Sequence, residues 1–268
     1  MQIELLLGII SSSPGGIFFM KIDRKELRAS IYDYVKANYW ALFTPLFIIF
    51  VITSIVDIII GWVLITNNLT DLVYVSTLIT YFFSIYGFGV YTIALVDCLR
   101  TEQKMSVKLI IDVMKKHNLR LFLLSIEMTF LLVILAVVGA MIHPIVESLV
   151  LAFMMLAYAF AFPISVDQPS LTNIAVISAS FKQTTGLRWD MFLLQTKPLL
   201  IALFPLVLAL MFSNPFVWLT SNNPSNGIIV FWFFIVCTII LILYVMPKAL
   251  SVSGFVYQAN TPQGPEVI

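Results

Sequence analysis

Charge is what this sequence lacks. Of 268 residues only 11% are Asp, Glu, Lys or Arg, while 60% are hydrophobic, and mean hydropathy is +1.01. A soluble domain carries about 25% charged residues. A water-soluble fold of this length has to turn much of its chain toward water, so this composition excludes that class. Histidine and cysteine are scarce too, with two of each. Two cysteines supply neither a disulfide framework nor a zinc site, and Cys98 and Cys237 read as inert thiols. His117 and His143 are expected on opposite sides of a membrane and so share no metal. There is no Gly-rich phosphate loop ending in Lys and Ser or Thr, no His-Glu-x-x-His, and no nucleophile with a base at recognisable spacing. The expectation is no enzyme, with no catalytic, cofactor-binding or metal residues. A net charge of +1 argues against a nucleic-acid partner.

What the chain does have is six apolar runs long enough to cross a bilayer, which takes about 20 helical residues. They lie near Leu42–Leu64, Leu72–Val96, Leu121–Met141, Leu149–Val166, Met191–Phe212 and Ile228–Met246. Turn formers separate them: Asn67 to Asp71, His143-Pro144, the polar run after Asp167, and Thr220 to Gly227. With this threading, all 15 Lys and Arg residues fall on one side. They occupy the N-terminal segment, the second-to-third connection, the fourth-to-fifth connection and the tail. The positive-inside rule makes that side cytoplasmic. The expected location is a bacterial cytoplasmic membrane, with both termini in the cytoplasm and lipid as the main partner.

Residues 1–19 read as a doubtful leader, with Glu4 and no basic start, and translation is expected to begin at Met20. Residues 20–260 form one membrane domain, and 261–268 a short cytoplasmic tail. Within the domain a unit recurs three times: a polar amphipathic segment, a span, an outside turn and a returning span. The amphipathic pieces are Asp23–Asn38, Ser106–Asn118 and Ser170–Thr184. Their apolar faces are Leu27, Ile31, Tyr34 and Val35; Val107, Ile110, Ile111 and Met114; and Ile174, Ile177 and Phe181. Asp97 precedes Phe122 by 25 residues, and Asp167 precedes Phe192 by the same 25. The fold class is therefore an all-α membrane protein of six transmembrane helices as three hairpins, each preceded by a cytoplasmic amphipathic helix. The alternative for the recurrence is a shared need for aromatic and basic residues at headgroup level, where Trp40 and Trp189 are interfacial anchors.

Lys25-Glu26-Leu27 with Asn38-Tyr39-Trp40 resembles the opening of the uncharacterised bacterial membrane family catalogued as domain of unknown function 975. So do Asp167 to Leu171 with Ala175, Ser178, Ser180, Gly186, Leu187, Trp189 and Phe192, and Pro247 to Ser253 with Phe255 and Tyr257. The likeness runs from Lys21 to Gln258 by pattern and order. It departs at Thr185-Gly186, where that family shows a Met-Gly pair, and at Phe162-Pro163. It implies the six-helix architecture and no activity.

Three ionisable residues fall inside spans, where a charge costs about 2.5–3.5 kcal/mol and needs a partner, water or a role. In the repeat register Glu127 aligns with Lys197, so the two are expected to face each other as an ion pair. Snorkelling of Lys197 and a proton or ion pathway are the alternatives. Asp57 either reaches the outer interface, capping a neighbour, or lines an outward-facing cavity. Pro45, Pro163, Pro198 and Pro205 are expected to kink their spans. Ala157 and Ala161 make a small-xxx-small packing face. Two functions fit. One is a transport-associated component, a small permease or the membrane partner of a transporter, whose amphipathic segments dock a cytoplasmic protein. The other is a non-transport scaffold of the immunity, stress-response or envelope-organising kind.

Overall fold

The computed structural model describes residues 24–67, 73–196, 236, 239, 240 and 245–261. Among these, every regular element is a helix. The leader, the suspected start at Met20, Lys197 and most of the fifth and sixth expected spans lie outside the described residues, as do Pro198 and Pro205.

Helix α1, Arg24–Ala37, follows its pattern: Leu27, Ile31 and Val35, spaced by four, are buried. A turn at Asn38 leads into α2, Tyr39–Thr66, which passes through Pro45 without ending. Helix α3, Val73–Thr101, returns antiparallel to it. Its small residues let it pack centrally. A Cβ at Gly87 would meet Ile49 of α2, and a Cβ at Gly89 would run into the ring of Phe162. The side chains from Val90 to Val96 are all buried as a result.

Helix α4, Val107–Ile142, spans 36 residues, capped by the Ser106 hydroxyl on the Leu109 N–H. The second amphipathic segment is thus not a separate helix. Nothing in Lys116-His117-Asn118-Leu119-Arg120 breaks a helix, so the polar segment and the span form one rod of roughly 54 Å. The rod ends at His143, and α5, Pro144–Ala157, begins where the sequence places a turn.

The fourth apolar run is not one helix. It comprises α5 and the short α6, Ala161–Asp167, with tight turns at Tyr158–Phe160 between them. Pro163 supplies the cause: it has no N–H to give Ala159, and its ring crowds that carbonyl. The groups freed by the break find partners in α7, Asn173–Thr184. Ser180 Oγ donates to Ala157 O at 2.9 Å and accepts from Phe160 N at 3.2 Å; Thr184 Oγ1 also donates to Ala157 O, at 3.2 Å.

The expected apolar face of α7 is split, with Ile177 half-buried against the core. The buried residues are Val176, Ser180 and Thr184, whereas Ile174 and Phe181 are exposed. After Gly186, whose φ of 90° closes the turn, residues 188–196 are helical again. Helix α8, Met246–Asn260, had no element assigned to it from sequence. It packs against α3 and α1 through Val252, Val256 and Tyr257, with Gly254 admitting Leu95.

Three described helices are long and apolar enough to cross a membrane: Tyr39–Leu64, Leu78–Thr101 and Val107–Gly139. This supports an all-helical protein with membrane-crossing elements.

Candidate functional site

The densest polar assembly sits where α3 ends. Arg100 donates through Nη1 to Asp167 Oδ1 at 2.8 Å and through Nη2 to Asp167 Oδ2 at 2.6 Å. Its Nε donates to Gln258 Oε1 at 3.1 Å, and the Tyr257 hydroxyl donates to Asp167 Oδ2 at 2.7 Å. One guanidinium and one carboxylate thus tie the ends of α3, α6 and α8, three elements far apart in the chain. The bidentate fork is the strongest form of such a contact. Side-chain exposures of 33% for Arg100 and 21% for Asp167 leave it half-shielded from water.

Burial pushes the Asp167 carboxyl up, but the hydrogen bonds from Arg100 and Tyr257, with the Arg100 charge, outweigh it and hold the group below the ordinary carboxylate value. Burial, then the bond to Asp167, pushes the Tyr257 hydroxyl up, which keeps it a donor. Nearby on α1, burial pushes the Tyr34 hydroxyl up to about 12, with the neighbouring Cys98 adding to it. Its ring stands edge-on to Phe255 of α8 at 5.3 Å.

A second arginine holds the loop after α6. Arg120 of α4 donates to the carbonyls of Gln168 at 3.1 Å, of Leu171 at 2.8 Å and of Pro169. Arg188 does similar work after α7. It donates to Phe181 O at 2.6 Å and to Thr184 Oγ1 at 3.1 Å, with its guanidinium against the rings of Phe153 and Phe181. Arg28 of α1 donates to Leu193 O at 3.1 Å. Arg188 thus serves the last turn of α7, where carbonyls lack helical partners, and Arg120 holds the carbonyls of the loop after α6.

The residues singled out from sequence are placed as follows. Glu127 lies exposed on α4, and Asn173 Nδ2 donates to its Oε1 at 3.1 Å. Its expected partner Lys197 lies outside the described residues. Asp57 accepts from Thr80 Oγ1 of α3 at 2.8 Å, so it meets a neighbouring helix. Trp40 and Trp189 are both exposed. Trp40 meets Tyr39 and Phe43 edge-on, and Trp189 stacks on Phe192. Trp62, also exposed, lies 22 residues beyond Trp40 on α2. At 1.5 Å per residue the two are roughly 33 Å apart, close to the ~30 Å of a hydrocarbon core.

Arg100, Tyr257 and Gln258 were missed as a site. The sequence reading uses Asp167 as a register mark and in the family likeness, and Arg100 only as one of many basic residues. Among the described residues no three His, Cys, Asp or Glu side chains come together as a metal site. What the assembly does is mechanical: it locks three helix ends with paired charge. Compared with protein-family models, with curated proteins and with solved structures, the chain matches none of them.

Proposed function

We propose that the chain is a multi-pass protein of a bacterial cytoplasmic membrane, with six spans and both termini in the cytoplasm. We read its role as transport-associated, a small permease or the membrane partner of a transporter, with no catalysis of its own. The observation that carries the role is the fourth apolar run, broken at Tyr158–Phe160 with its freed backbone groups held by Ser180 and Thr184. Interrupted helices at membrane depth are tolerated where protein or a cavity surrounds them, and transporters build sites from them. The one-sided placement of Lys and Arg supports the orientation. The likeness to the domain-of-unknown-function 975 family supports the same architecture and adds no activity.

A second reading, a non-transport scaffold, is favoured by a different observation: Glu127 and Asp57 each already hold a protein partner. Crosslinking of tagged protein in native membranes, followed by mass spectrometry, separates the two. Recovery of a nucleotide-binding subunit supports the transport reading; recovery of the chain alone favours the scaffold.

A further inference from the structure

We infer that the exposed face at the middle of α4 holds an anionic phospholipid of the cytoplasmic leaflet, its phosphate against Lys115 and Lys108 and its acyl chains along Leu119 and Phe122. This rests on the membrane-spanning reading and adds a lipid class and a site to it. The exposed surface of α4 changes character at one point. From Val107 to Asn118 the exposed side chains are Lys108, Ile111, Asp112, Lys115, Lys116 and Asn118. From Leu119, which is 73% exposed, the exposed positions through Ile142 are apolar, with Glu127 the one exception among the described residues. Glu127 has Asn173 as its partner. A helix face so continuously apolar is one that hydrocarbon covers.

The headgroup level lies one turn earlier. Lys108, Lys115 and Leu119 share one helix face, at intervals of seven and four residues. Lys115 stands roughly 6 Å outside Leu119 at 1.5 Å per residue, the level of a phosphate above the first acyl carbons. Between Lys104 and Lys116 there are four lysines and a single carboxylate, that of Asp112. No salt bridge joins Lys108, Asp112 or Lys115 to another described residue. Lys116, off that face, has the Asp97 carboxylate within electrostatic reach instead. Asn118 adds directed donors: the Tyr86 hydroxyl donates to its Oδ1 at 2.9 Å, so the exposed amide presents its Nδ2 hydrogens. A basic cluster immediately outside an apolar stripe selects anionic over zwitterionic headgroups. A soluble anion has no use for Leu119 and Phe122, and a cytoplasmic protein does not reach a surface beneath the headgroups.

The test places a bimane fluorophore on Leu119→Cys, or on Leu123→Cys as a second variant, in the full chain with Cys98 and Cys237 replaced by Ala. Ile58→Cys, at an exposed position of α2 in a stretch without Lys or Arg, is the reference. Vesicles of phosphatidylcholine carry a small share of phosphatidylglycerol or of phosphatidylcholine bearing an acyl-chain nitroxide, which quenches a fluorophore that it touches. Phosphatidylglycerol should quench at 119 as though enriched about fivefold, the scale of one lysine at an anionic headgroup, and show no preference at 58. Lys108→Gln with Lys115→Gln should abolish the preference while quenching by phosphatidylcholine persists. Equal quenching by the two lipids at 119, or a preference that survives both changes, overturns the inference. So does quenching at 58 with none at 119 and 123, which would mean that protein covers this face of α4. If neither lipid quenches at any position, the membrane-spanning reading has failed, and the inference with it.

Discussion

At the scale of single residues, the account turns on Arg100 and Asp167. A bidentate charged pair of this kind, half-shielded, is worth on the order of 1–2 kcal/mol after allowance for screening by water. Asp167→Asn and Arg100→Met should each lower the unfolding temperature in detergent. The double change should cost less than the sum, by about 1 kcal/mol, because the two remove one interaction. The pH dependence has a definite sign. Asp167 is held below the ordinary carboxylate value, so its contribution is complete above about pH 4, where the unfolded chain ionises, and fades as pH falls through the lower folded value. Thermal unfolding should therefore show the gap between the natural chain and Asp167→Asn closing below pH 4. A constant gap would remove the ionic contribution. The pair was not legible in the sequence, since its members are 67 residues apart and no local pattern links them. Glu127 was legible as a charge within an apolar run, but the Asn173 partner was not, because Asn173 reads as an ordinary helix-start residue.

At the scale of elements, close helix packing makes its own predictions. Gly89→Ala sets a methyl into the ring of Phe162, and overpacking of this kind costs roughly 1–3 kcal/mol. Gly61→Ala is the control: nothing lies within 4 Å of its would-be Cβ, so it should be neutral or gain up to about 1 kcal/mol from helix propensity. Equal losses at both glycines would mean that α3 does not pack against α6 as described. Ser180→Ala strips the Phe160 N–H and leaves the Ala157 carbonyl with Thr184 alone, and should cost roughly 1–3 kcal/mol. Amide exchange at Phe160 should rise if the bond is lost.

Apolar spacing sufficed to place α1, α2 and α3 and the turn at His143. It erred on α4 by inserting a boundary where no residue breaks the helix, and on α5–α6 it expected a kink at Pro163 where the chain breaks into two helices. For α7 it named one apolar face, of which Ile177 packs inward while Ile174 and Phe181 are exposed. In lipid the surroundings are as apolar as the interior, so periodicity marks a face without saying which way it turns.

At the scale of the whole molecule, composition alone placed the chain among membrane proteins, and three long apolar helices among the described residues agree. Orientation was argued from charge asymmetry, which is a property of loops and was readable directly. The joining of α3, α6 and α8 at one polar cluster was not, since it depends on how the helices assemble. Alkaline phosphatase, active only outside the cytoplasm, tests the central claim of six spans with both ends cytoplasmic. It should be active when fused after His143 or Asn222, and inactive after Asn118, Thr185 or Asn260. Activity after Asn118 or Asn260, or silence after His143, would contradict the six-span threading.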